Sequence, residues 1–224
     1  MTVDFQQLRV KMVDGQVRTT DVTQVSLLAA MLSVPREEYV PEERRALAYI
    51  DEDIELAPAG EGAEARYLME PSPFAKMVQV AEIRPGDRVL DVACGTGYSS
   101  AVLARLASEV IALESIATVA ERAKSILEAQ GVGNVEVVQG ALAEGHCVKA
   151  PYDVIVINGS VDEVSKELFD QLAEGGRLVA VVGTGNAGRA AIYVKDDGHV
   201  SARTVFNAAV RPLAEFARTI AFEF

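Results

Sequence analysis

From Asp87 onward the chain runs as short, nearly unbroken apolar stretches set between amphipathic ones. The stretches "RVLDVA", "EVIALE", "NVEVVQG", "YDVIVING" and "GRLVAVVG" predict strands, the first of them buried, since a continuous apolar run marks a strand covered on both faces. Between them "YSSAVLARLA", "SIATVAERAKSILEAQG" and "VSKELFDQLAEGG" carry apolar residues at helical spacing, the second closing on Gly131 as a left-handed cap. Strand and helix in alternation predict a parallel, doubly wound α/β sheet covered on both faces. After Gly183 the rhythm changes: "AAIYVKDDGHVSARTVF" holds two β-prone runs around Asp197-Gly198, which predicts a hairpin added at one sheet edge.

The first part of the chain lacks strong strand runs and reads as helices with loops. "DVTQVSLLAAMLSV" predicts a helix with Asp21 as N-cap, stopping before Pro35, and "PEERRALAYI" a short helical segment. "APAGEGAEA", residues 57–65, has no periodicity and reads as a loop. The organisation expected is a helical part over residues 1–80, then a Rossmann-like core with a C-terminal β extension over 81–224, the two forming one compact unit.

Composition narrows the partners. The formal net charge is -12, and no Lys/Arg block interleaves with aromatics, so repulsion opposes nucleic acid and anionic membranes. No run approaches the roughly 20 apolar residues of a membrane span and the N-terminus lacks a secretory h-region, so a cytoplasmic protein, monomer or homodimer, is expected. Cys94, Cys147, His146 and His199 are too few and scattered for a disulfide framework or a metal cluster.

The chemistry-bearing stretch is "VLDVACGTGYSS", where a strand ends at Asp91-Val92 and a small-residue loop opens a helix. Gly95 and Gly97 let backbone approach a ligand without an intervening Cβ. A dinucleotide fingerprint G-x-G-x-x-G would need a third glycine where Ser100 stands. The alternative is S-adenosylmethionine, whose loop reads acid-h-G-x-G-x-G; here Ala93 replaces the first glycine. Asp91 suits a cationic amino acid moiety better than a pyrophosphate, and Glu114, ending the next strand, can accept from both ribose hydroxyls. A ligand-free structural loop is the third reading.

These segments, with "MVDGQV", "VPREEYVPEERRALAYID", "APYDVIVI" and "QLAEGGRLVAVVG" in order, make the chain resemble the protein-L-isoaspartate O-methyltransferases over nearly its whole length. The resemblance implies a class I S-adenosylmethionine-dependent methyltransferase fold, with a helical N-terminal addition containing the substrate loop. It also implies methyl transfer to an isoaspartyl carboxylate of a protein or peptide, which starts repair of that residue. Asp91, Ala93, Gly95, Gly97 and Glu114 then match cofactor-binding positions.

Three departures stand out. The family's substrate loop reads roughly G-x-T-I-S-Q-P, whereas this chain has Ala65-Arg66-Tyr67-Leu68-Met69-Glu70-Pro71, so Met69 replaces the serine held important for activity. The family's Gly-Asp-Gly after the third core strand is Gly140-Ala141-Leu142, which makes Ala141 and Leu142 the adenine-side candidates, with Leu142 packing on the ring. Its Thr-Ala-Ala is Asn158-Gly159-Ser160, with Asn158 either facing the site or marking a polar turn. No catalytic residue is assigned; Glu70 and Asn158 are the nearby candidates. Glu70, if turned inward, would repel an incoming carboxylate; Arg66 either offsets that charge or, the favoured reading, is an exposed loop arginine. Met69 and Phe74 are read either as an apolar wall for a different acceptor or as core beneath the loop, so the alternatives to isoaspartyl transfer are the same fold with another acceptor and a cofactor-binding protein without that activity. An aspartyl-type carboxylate, with a pKa of about 3.9, is already ionised at neutral pH, so transfer needs alignment rather than a general base.

Overall fold

The computed structural model describes residues 3–60 and 64–218. The chain enters through α1 (Phe5–Met12), which widens into a π turn over Val13–Val17 and leads to α2 (Val25–Ser33). Two 3₁₀ segments, Arg36–Tyr39 and Glu42–Leu47, follow, then strands β1 (Ile54–Ala57) and β2 (Arg66–Leu68) and helix α3 (Pro71–Ala81). The core continues as β3 (Arg88–Val92), α4 (Tyr98–Leu103), β4 (Glu109–Glu114), α5 (Ala117–Ala129) and β5 (Val135–Gln139). It is completed by β6 (Tyr152–Val161), α6 (Lys166–Asp170), β7 (Leu172–Val182), β8 (Arg189–Asp196) and β9 (His199–Asn207).

Seven strands form one sheet in the order β5-β4-β3-β6-β7-β8-β9, parallel through β7 and antiparallel beyond it. The continuous apolar runs separate by parity. Val89, Val110, Val154, Val156, Val179 and Val181 join a cluster with α1, α2 and α3, while Leu90, Ile111, Ile155, Ile157, Leu178 and Ala180 join a second cluster on the opposite face. Side chains alternate along a strand, so two covered faces require apolar residues at both parities. The β8–β9 hairpin turns at Asp197 and Gly198, both at positive φ (49° and 73°), as a two-residue primed turn requires. Gly131, at φ 68°, closes α5 as expected. Among the described residues no helix is long and apolar enough to cross a membrane.

Three local expectations are corrected. Residues before Asp87 do contain strands: β1 and β2 pair antiparallel, so Ala57 belongs to β1 and residues 58–65 connect a hairpin whose residues 61–63 lie outside the described ones. These strands are too short for a period of two to be separable from loop. Asp21 is not an N-cap. It takes a left-handed conformation (φ 66°), and α2 begins at Val25, where the side chain of Gln79 on α3 accepts from Thr23 N (2.7 Å) and Gln24 N (3.0 Å). Finally, the helix expected over "VSKELFDQLAEGG" stops at Asp170, because β7 already pairs from Leu172 with Tyr152. A parallel-strand ladder outweighs the modest helix propensity of "QLAE".

Gln79 caps α2 from a different helix and also donates to Asp21 O at 3.0 Å. Gln79→Ala is therefore expected to lower stability by about 1 kcal/mol, read as a shift of the urea unfolding midpoint at unchanged slope.

Candidate active site

Strand order reverses at β3: the chain passes from β3 to β4 on one side and returns to β6 on the other. Ligands of such sheets lie beyond the carboxyl ends of the strands at this point. Asp91 and Val92 end β3, and Asn158 of β6 lies opposite. Its Nδ2 donates to Asp91 Oδ1 (2.6 Å) and to Val92 O (3.0 Å), so Asn158 is part of a strand that braces the diverging pair and not a turn residue.

The Asp91 carboxylate is fully buried. Its Oδ2 accepts from the hydroxyls of Ser99 (2.7 Å) and Ser100 (2.6 Å) in the first turn of α4. Burial pushes its pKa up to about 6, against the lowering effect of the Ser100, Ser99 and Asn158 donors, with Glu114 adding to the rise. Ser100, read above only as a missing glycine, thus holds the acid in place.

Between β3 and α4 the loop turns through three left-handed residues, Ala93 (φ 57°), Gly95 (φ 57°) and Gly97 (φ 94°). Ala93, where the family pattern has glycine, adopts this conformation at a cost of roughly 1 kcal/mol. Gly97's φ favours glycine, and a Cβ there would lie 2.9 Å from the Leu127 side-chain tip of α5, which would have to shift. Thr96 Oγ1 donates to Tyr39 O, tying the loop to the Arg36–Tyr39 turn.

Glu114 is likewise fully buried. Oε2 accepts from Gly95 N (3.0 Å), and Oε1 from Ser115 N (2.9 Å) and Ile116 N (3.1 Å). The carboxylate is also paired with Arg66, whose Nε and Nη2 lie 3.1 and 3.0 Å from Oε1. Arg66 is therefore not the exposed loop arginine expected; its side chain is 2% exposed. It reaches on to Ser115 Oγ and Glu215 Oε1, each at 3.0 Å. Burial disfavours the charged guanidinium, but Glu114 and Glu215 outweigh this and hold its pKa above the ordinary value.

The expected adenine-side residues divide. Ala141, beside the end of β5, is exposed, whereas Leu142 is fully buried among Leu90, Val92, Ala93 and Leu113. Its side chain is thus part of the core under the site and not a free surface for a ring.

On the other side of the loop, Tyr67, Leu68, Met69, Phe74, Tyr98, Ser99 and Asn158 line a cleft over Ala93 and Cys94 whose free volume is ≈ 10 Å³, about one water. Met69 and Phe74 are both lining and core, with Met69 6% and Phe74 2% exposed. Arg36, fully buried, fixes this segment: Nη2 donates to Met69 O (2.7 Å), Nε to Ala48 O (2.8 Å), and the guanidinium lies 4.8 Å from the Tyr98 ring centroid. Glu70 does not line the cleft; its N donates to Asp53 Oδ1 (2.9 Å). Burial, then Asp53 and Asp51, push the Glu70 carboxyl up to about 7. Sequence reasoning missed Ser99, Arg36 and the role of Arg66, since nothing in their local pattern distinguishes them from ordinary helix, turn and loop residues.

The donor set suits S-adenosylmethionine in kind: an acid for the amino acid end at Asp91, glycines without a Cβ between, and an acid for ribose hydroxyls at Glu114. Similarity to known proteins agrees. Residues 8–216 match the family model described as protein-L-isoaspartate(D-aspartate) O-methyltransferase. The chain is 38% identical to a protein-L-isoaspartate O-methyltransferase of Methanoculleus marisnigri, over 86% of this chain and 84% of the relative. It is 40% identical to protein-L-isoaspartate O-methyltransferase 1 of Rhodopseudomonas palustris, over 80% and 71%. A solved protein-L-isoaspartate O-methyltransferase superposes with a TM-score of 0.78 at 27% identity, covering 93% of this chain and 65% of the other. A Plasmodium falciparum structure, a putative member solved with S-adenosyl-L-homocysteine, superposes at 0.76 and 18% identity, over 96% and 100%, which speaks to the fold. The chain thus belongs to the protein-L-isoaspartate O-methyltransferase family and is an S-adenosylmethionine-dependent methyltransferase.

Proposed function

We propose that the chain methylates the free carboxylate of isoaspartyl residues in proteins and peptides. The observation that carries this reading is the pair of buried acids, Asp91 and Glu114, on either side of the Gly95–Gly97 loop in a chain of this family. When bound, S-adenosylmethionine supplies an electrophilic methyl group on a sulfonium. Asp91 would hold its ammonium, the Gly95–Gly97 backbone its middle, and Glu114 its ribose hydroxyls. Tyr67, Met69, Phe74 and Tyr98 form the wall on the acceptor side and exclude water from the reacting oxygen. Because the acceptor carboxylate is already ionised at neutral pH, no side chain is assigned to proton transfer. Arg36 acts through backbone, holding the Met69 carbonyl and so the orientation of the segment where the family has its serine. A net charge of -12 accords with a protein or peptide acceptor and not a nucleic acid.

The activity is tested by incubating the chain with an isoaspartyl peptide and methyl-labelled cofactor. Base-labile methyl ester above a no-enzyme control is expected, and Met69→Ser is expected to raise kcat/KM by about tenfold, the worth of one positioning hydrogen bond. Cofactor binding without ester in either protein would move the acceptor to another class.

Asp91 sets a pH dependence. Its folded pKa of about 6 lies above the unfolded 3.8, so between those values the folded carboxyl keeps a proton that the unfolded one has lost. Stability from this group falls as pH rises through that window. Ligand binding has the opposite sign: an ammonium beside Asp91 favours the ionised form, so binding below pH 6 must expel the proton. Calorimetric titration with S-adenosylhomocysteine should give a Kd that rises toward about tenfold per pH unit below 6. Asp91→Asn should flatten this profile, and an equally steep profile in that variant would remove Asp91 from the amino acid end.

A further inference from the structure

The β1–β2 hairpin lies on the cofactor loop through two attachments. Leu56 of β1 comes so close to the loop that a Cβ on Gly95 would meet its Cδ1 at 2.7 Å. Arg66 of β2 is paired with Glu114 at 3.0 Å, the side chains 2% and 0% exposed. The hairpin itself is slight: three registered pairs, interrupted by an irregularity between Glu55 and Ala57. Two short strands are marginal without support, so these attachments decide where the hairpin sits.

Glu114 is the acid that the proposed reading gives to the ribose, and the inference rests on that reading. Three backbone N–H groups, from Gly95, Ser115 and Ile116, stay on the carboxylate whatever happens to Arg66. Exchanging the guanidinium donors for two ribose hydroxyls therefore leaves no buried acceptor unsatisfied, which would otherwise be the main cost of breaking a buried pair. The guanidinium is not stranded either. Glu215, 31% exposed at its side chain and 3.0 Å from Arg66 Nη2, lies on the solvent side of the pair.

We infer that Arg66 competes with the cofactor ribose for Glu114, so that it latches the Ile54–Ala57/Arg66–Leu68 hairpin over the loop and the hairpin must lift for cofactor to seat. Affinity is then reduced by the fraction of molecules with the hairpin lifted. Loosening either attachment raises that fraction, whereas residues that merely support the site would weaken binding when removed.

The test is calorimetric titration of the full chain with S-adenosylhomocysteine, for wild type, Arg66→Ala and Leu56→Ala, with stopped-flow association rates. Both variants are expected to bind about tenfold more tightly and associate faster, as for a lifted form populated at about one part in ten. Leu56→Ala carries the same reading if loss of Arg66 prevents folding, checked by thermal unfolding. Wild type binding S-adenosylhomocysteine while a folded variant binds it equally or more weakly would overturn the latch and leave the cofactor placement standing. No binding by wild type or either variant would overturn both.

Discussion

Two carboxylates without solvent exposure, Asp91 and Glu114, end neighbouring parallel strands, and the geometry of the site follows from satisfying them. A buried, unpaired carboxylate costs several kcal/mol, so each recruits donors from the elements around it. Asp91 takes two serine hydroxyls from the first turn of α4 and the Asn158 amide from β6, which sets where α4 begins and how β3 and β6 separate. Glu114 takes Gly95 N and the two N–H groups that follow it in sequence, which holds the loop against β4. Left-handed residues at 93, 95 and 97 are what permit that loop path.

The two acids differ in what neutralises them. Asp91 has only neutral donors, so burial leaves its pKa raised and makes it responsive to a cation placed beside it. Glu114 already has a cation, Arg66, delivered by a hairpin from the N-terminal part of the chain. The cleft beside the loop draws on the same segment: Tyr67 is on β2, and Met69 follows it with its carbonyl held by Arg36. The Gly95–Gly97 loop and the cleft beside it are thus both contacted by one hairpin.

How much was legible in the sequence follows from the range of the interactions involved. The core strands were readable because burial on both faces needs apolar residues at both parities, as in "VIVI" of β6. The loop was readable because its path needs left-handed backbone, which glycine takes most easily, as at Gly95 and Gly97. The start of α2 was not, since Gln79, far along the chain, replaces the local cap that Asp21 seemed to offer. Nor was the end of α6, where pairing of β7 with β6 overrode local propensity. Leu142 was assigned to the ligand by position, yet its side chain completes the core.

The sequence by itself determined the doubly wound sheet, the edge hairpin, the switch-point loop with its two acids, and the family, because these depend on periodicity and on residue types within a few positions of one another. Only the tertiary structure decided that Ser99 and Ser100 hold Asp91, that Asn158 braces the strand divergence, that Arg36 fixes Met69, and that Arg66 sits on Glu114. Each is a contact between groups whose distance is set by how the elements pack. A buried arginine on a carboxylate 48 residues away and an exposed one in a loop have the same local sequence.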